Sequence, residues 1–407
     1  MRARTINSIC GTVLCLMAVG IAGCPVELLN LLLPPQAAPV VPTCDDTTGR
    51  TFTAEGFATI TVFCGGIDSF SGIKLSDQRE VIDSEFRSGL GLLVADGVVT
   101  DLTLNPSGIN DNGQVVGSFG LPQRVPPSRE MWTLDHPGVW ENGVRTQLSA
   151  FSGGENGQAL AINNASTVVG WAVDRPPVLR TAIPGVQFAD FAPRIPSMWR
   201  RVDDQWQISK LDGAPEELKA IAINEREQVL LRGIYGFETS SFLWEAGVVT
   251  ELPTLGGDWT AAHDINDAGQ VVGQTTNGQS RVDPINDPAT AHIPVWRAFL
   301  WQDGEITDLG TFGGQSSTAI AINNLGHVIG RADTPEFRFF TEFAALPIQR
   351  PFLWQDGVMV DLNDLVSPDA GITITNVLDI NNVGQILARA WFAETDESAM
   401  VLVDLPD

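Results

Sequence analysis

The residues best suited to acid–base or metal chemistry are four histidines, His136, His263, His292 and His327. No two stand at zinc-ligand spacing. His327 takes the place held in sister segments by Gln114, Gln270 and Gln385, which reads as an exposed, idle position. His263 replaces apolar residues (Leu160, Ile221, Ile320 and Leu378) at an inward position. An imidazole satisfied by a neighbour is the expectation there, and catalysis beside an acid the alternative. Asp203 and Asp204 are adjacent, which on a strand points them to opposite sides. DINDAG (264–269) and DINNVG (379–384) begin like a calcium loop. They carry Ala268 and Val383 at the fifth position, and Thr275 and Ala390 at the twelfth where glutamate is required. No phosphate-binding glycine loop, nucleophile elbow or paired-cysteine metal motif occurs. No cofactor, metal or catalytic set is expected from these residues.

Recognition chemistry is easier to find. Four long segments, 118–138, 171–197, 274–298 and 331–351, hold ten of the 24 Lys and Arg but only nine of the 49 Asp and Glu. The rest of the chain therefore carries nearly all of the net charge of −25, which excludes a phosphate backbone as partner. The same segments are rich in aromatics, and arginine with aromatics is the composition of binding surfaces. Arg124, Trp132, Arg175, Arg180, Phe188, Arg281, Trp296, Arg338 and Phe339 are the candidate ligand-binding residues. The competing reading is that these loops pack on one another and hide their rings.

Five cysteines sort by position. Residues 1–23 combine Arg2 and Arg4 with an apolar stretch from Ile9 to Ile21, too short to span a bilayer comfortably. The stretch ends Ile21-Ala22-Gly23-Cys24, which resembles the lipobox of bacterial lipoproteins. The resemblance implies removal of residues 1–23, with Cys10 and Cys15, and acylation of Cys24, the only expected membrane contact. Residues 24–43, with five prolines, read as a tether. Residues 44–71 form an entry segment in which Cys44 and Cys64 pair as a disulfide or remain two thiols.

The elements that must position these groups come from internal repetition. One unit reads SGINDNGQVVG (107–117), LAINNASTVVG (160–170), IAINEREQVLLRG (221–233), HDINDAGQVVG (263–273), IAINNLGHVIG (320–330) and LDINNVGQILA (378–388). Alternating apolar residues make a strand, Asn opens a tight turn, and Gly113, Gly269, Gly326 and Gly384 close it. Ser166 and Glu227 replace that glycine, so their turns are expected to be looser. The other unit reads FLWEAGVVTEL (242–252), FLWQDGEITDL (299–309) and FLWQDGVMVDL (352–362), with weaker copies at 92–102 and 139–148. Its Gly-containing dipeptides are hairpin turns. Two hairpins per repeat give the four strands of a propeller blade.

Residues 297–330 and 252–273 resemble the HAF-type extracellular repeat, a family of exported bacterial repeat proteins. The resemblance covers about residues 72–405 and implies export and a propeller-like body, with no catalytic motif to carry over. The expected fold is therefore all-β: a propeller over 72–407, with the N- and C-terminal segments sharing the last blade. Segment 73–85, aligned as a worn copy of the Asn unit, is paired in this reading with AMVLVDL (399–405). Seven blades result, with six or eight as alternatives because MWRRVDDQWQISKL (198–211) is irregular. Each long segment follows a Val-Val-Gly strand and precedes a Phe-Leu-Trp strand, which places all four at one end of the ring. The functional expectation is a non-enzymatic binding or scaffold lipoprotein of the outer membrane or cell surface, with an envelope protein or glycan as partner. A polysaccharide hydrolase or lyase with its site at the central opening is the alternative.

Overall fold

The computed structural model describes residues 50–52, 56–62, 74–84, 91–95, 98–124, 131–152, 154, 156–176, 178–183, 186–190, 192–233, 240–282, 292–339 and 345–405. Cys24, the proline-rich segment, Cys44 and Cys64 lie outside them. The compact unit Thr43–Asp407 is a seven-bladed β-propeller.

Six blades are four-stranded antiparallel sheets with strands in chain order, and the seventh is completed by strands from the N-terminal side. Blade one comprises Lys74–Leu75, Val81–Ser84, Gly91–Ala95 and Val98–Asp101. The innermost strands of blades two to seven are Asn105–Ile109, Gly157–Ile162, Leu218–Ile223, Thr260–Ile265, Ser317–Ile322 and Ile372–Ile380. The Asn unit forms the inner hairpin of blades two to seven, and the Phe-Leu-Trp unit or its weaker copy the outer hairpin of blades one to six. Seven apolar clusters hold the ring, one at each blade interface. Trp199, Trp244 and Trp301 are buried in three of them, which is why that unit keeps its tryptophan. The two-residue outer turns have positive φ at both residues, as in Asp303-Gly304 and Asp356-Gly357. Asp203-Asp204 is such a turn (φ 50° and 60°), not a strand pair, and this accounts for the irregular third repeat.

Two expectations need correction. Segment 73–85 does not share a sheet with the C-terminus: it begins blade one and meets residues 399–405 across a blade interface, through Leu75 and Val81 against Met400 and Leu402. The closing strand is Thr59–Val62, which pairs with Glu397–Asp404 in register Ile60↔Val403. Arg50–Phe52 adds a fifth strand outside it, so the propeller sheet reaches into the segment read as an entry. Nor are the glycine-less turns looser. Ser166 and Glu227 adopt φ of 63° and 60° and donate the same turn hydrogen bond to Asn163 O (3.0 Å) and Asn224 O (3.1 Å). The turn is over-determined by its asparagine, so these residues accept a strain of roughly 1 kcal/mol.

Candidate functional site

Asparagine side chains stitch six of the seven joints between inner turns. Asn110 Oδ1 accepts from Asn112 N and Gln114 N, and its Nδ2 donates to Gln114 Oε1 (2.8 Å) and to the blade-three carbonyl of Asn163 (2.9 Å). The same cross-blade bond runs from Asn163 to Asn224, Asn266, Asn323, Asn381 and finally Ser76 O. Gln114 and Gln385 are buried acceptors for this amide, so the place taken by His327 is not an exposed strand position. His327 cannot reproduce the glutamine, and its Nδ1 is buried without a partner among the described residues.

A closed ring lies one residue on. The backbone N–H of each of Asp111, Asn164, Glu225, Asp267, Asn324, Asn382 and Asp77 donates to the side chain of the next, and Asp77 closes onto Asp111. Burial raises the Asp77 and Glu225 carboxyls above their ordinary range, and the like charges of Asp111 and Asp267 push the same way.

Inside this mouth lies a cavity of about 390 Å³. Six inner strands carry a β-bulge at the residue three before the asparagine or serine, among them Leu160, Ile221 and His263, which line the cavity. The residue after the bulge is small in four blades (Gly108, Ala161, Ala222, Ala321) and Asp264 or Asp379 in the others; the equivalent in blade one is Lys74. These charges are spent on blade joints. Asp379 accepts from blade-one Leu75 N (2.9 Å) and Lys74 Nζ (3.4 Å), and Asp264 accepts from blade-six Ile322 N (3.0 Å). The Asp379 charge, and Asp264 further off, raise the Lys74 ammonium above the ordinary lysine range against the effect of its burial. Burial raises the Asp264 carboxyl, opposed by Lys74.

His263 Nδ1 donates to blade-six Ala319 O at 2.7 Å, because a carbonyl can only accept. Burial pushes the imidazole down to about 4, helped by Arg232, Lys74 and Arg331. It is a neutral joint between blades. Lys74, His263, Asp264 and Asp379 in this cavity thus each have a partner on a neighbouring blade. Among the described residues, no three His, Cys, Asp or Glu side chains form a metal-binding group.

The opposite end of the ring carries the long segments. They extend the connections between second and third strands: Val115–Arg124 with Met131–Glu141, Val271–Val282 with His292–Gln302, and Val328–Phe339 with Ala345–Gln355. In blade three the connection is a separate two-stranded ribbon, Val178–Ile183 with Val186–Asp190. In four-stranded up-and-down blades all these connections emerge on one face, opposite the asparagine turns.

Arg180 and Phe188 are cross-strand partners on the ribbon, Trp132 is opposite Gln123, Arg124 opposite Met131, Arg281 opposite Ile293 and Phe339 opposite Ala345. The side chains of these six candidates lie outside the described residues. Arg175 on blade three is exposed, and so is Arg338 on blade six, next in the chain to Phe337 at 52% exposure. Trp296 is half-buried and stacked on Trp259 with centroids 6.2 Å apart. The candidates fall on blades two and three and on blades five and six, two neighbouring pairs rather than one pocket.

Lys219 and Arg232 lie outside the composition-marked candidates. Burial lowers the Lys219 ammonium, as do the charges of Arg194 and Arg232, and burial lowers Arg232. Arg194 lies over the Trp171 ring at 4.8 Å, with Nη1 buried and unpartnered among the described residues. The legible signal was the residue after Val-Val-Gly: Ser118, Trp171, Arg232, Gln274, Arg331 and Arg389 are large or polar while the strand before them is apolar.

No family model matches the chain, and no curated protein matches it. Solved structures do. A gluconolactonase from Xanthomonas campestris is 10% identical, with TM-score 0.36 over 89% of this chain and 96% of that one. The β-propeller domain of the Trilobed protease from Pyrococcus furiosus is 12% identical, with TM-score 0.29 over 79% and 100%. YCF48 bound to D1 peptide is 11% identical, with TM-score 0.39 over 90% and 99%.

Proposed function

We propose that this protein is a non-enzymatic binding propeller of the bacterial cell envelope, exported and held at the outer membrane or cell surface through acylated Cys24, that recognises an envelope protein or glycan with its hairpin face. One observation carries the reading: four connections are lengthened, all at the same end, while every described asparagine turn at the other end stays tight. A ribbon standing beyond its blade adds little to ring stability, since two strands alone are marginal in water. Its residues answer to something outside the ring. The exposed Phe337 and Arg338 give that end apolar and cationic contact groups. The sequence resemblances supply the location, and Cys44 and Cys64 would pair in that oxidising compartment.

The test compares wild type with the Arg180→Ala, Arg338→Ala double variant on an array of envelope glycans and purified envelope proteins. The expected result is at least a tenfold loss of binding to whichever partner wild type retains. Equal binding by both proteins would remove the hairpin face from the account.

A further inference from the structure

A cleft of about 250 Å³ opens between blades five and six on the hairpin face. Gln274, Trp296, Ser317, Thr318, Arg331 and Gln349 line it. We infer that this cleft binds a single carboxylated sugar ring, a hexuronate unit of an acidic glycan. The inference rests on the hairpin-face reading and names the ligand class it takes.

Three features converge on that chemistry. The first is Arg331, whose Nε is buried with no partner among the described residues. An unmade hydrogen bond on a buried cationic donor is costly, and this chain has 49 acids with which selection could have paired it. A guanidinium left open in a cleft matches a carboxylate, which it can grip with two parallel bonds.

The second is the pair of amides. Gln274 Oε1 accepts from Thr318 Oγ1, so its nitrogen is left to donate. Gln349 Nε2 donates to Asp333 Oδ1 (2.9 Å), so its oxygen is left to accept. One donor and one acceptor are what sugar hydroxyls require, since each hydroxyl both donates and accepts.

The third is Trp296, backed by Trp259 and half-exposed, which presents an aromatic surface to the apolar face of a ring. The cavity lies just below the roughly 300 Å³ at which drug-sized sites begin, and so suits one ring rather than an extended chain.

The test is calorimetric titration of the mature chain with an oligogalacturonide, its neutral methyl ester and an acidic peptide. Wild type should bind the acid and ignore the ester. Arg331→Gln, which installs the residue that blade five carries at the same position, should weaken binding at least tenfold while leaving the thermal midpoint unchanged. Arg331→Lys should restore part of it. Trp296→Ala should also lose binding, with protein fluorescence of wild type shifting on saturation. No binding of the acid, equal binding of acid and ester, or binding by the peptide alone would overturn the inference. Loss of partner binding by the Arg180, Arg338 variant alongside failed uronate binding would sink the cleft and keep the hairpin face. The converse pattern would keep the cleft and sink the wider reading.

Discussion

Replacing His263 by leucine, the residue blades three and seven carry at this bulge, should flatten the acid side of the stability profile. The imidazole ionises near 4 in the folded ring and near 6.5 in the unfolded chain. Because the folded value is depressed, the unfolded state binds the extra proton between those values, and stability falls as pH drops through that window. At pH 4.5 the unfolded histidine is about 99% protonated and the folded one about a quarter, which works out to about 2.5 kcal/mol lost relative to pH 7.5. Asp264 works in the opposite direction, since burial raises its folded value, but that contribution is common to both proteins. Urea unfolding of wild type and His263→Leu at the two pH values isolates the histidine: wild type should lose about 2.5 kcal/mol more than the variant. The substitution's effect on packing cancels in the difference. Nitrogen-15 shifts of the imidazole should show Nδ1 protonated throughout and Nε2 unprotonated down to about pH 4.5. An imidazole titrating near 6.5, or parallel losses in the two proteins, would refute the buried-joint assignment.

Asn110→Ala removes four hydrogen bonds at the joint of blades two and three and should cost about 2–4 kcal/mol in urea unfolding. Asn110→Asp should be no better, because it sets a carboxylate oxygen against Asn163 O; wild-type stability in either variant contradicts the ladder. Ile60→Ala in the closing strand should cost about 2–4 kcal/mol and speed proteolysis near the N-terminus, since Ile60 is 1% exposed. Val98→Ala, at 63% exposure, should cost under about 0.5 kcal/mol, and equal effects at the two sites would argue against closure by this strand.

The repeat architecture was legible because it is local. Asn at position one of a turn and Asp-Gly at a hairpin act within a few residues, so each copy announces its two hairpins wherever the chain later runs. The same locality placed the long segments on one end, since strand parity alone decides which face a connection leaves from. The closing strand was illegible because Thr59–Val62 has only a four-residue alternation and pairs with residues more than three hundred positions away. Nothing in its neighbourhood marks it as a blade strand, while the worn copy at 73–85 resembled one and drew the assignment. The candidate residues were found by composition, which detects crowding of Arg and aromatics but not who faces whom.

What the sequence determined by itself is everything set by short-range backbone preference and by the two-residue period of a strand: the unit, the propeller class with seven blades favoured over six or eight, and the face of the insertions. Which N-terminal strand closes the ring, the conversion of Asp264, Asp379 and His263 into blade joints, and the Gln274–Arg331–Gln349 cleft were decided only by tertiary structure. Each of those depends on which blade comes next around the axis, and partners drawn from adjacent blades are separated in the chain by tens to hundreds of residues.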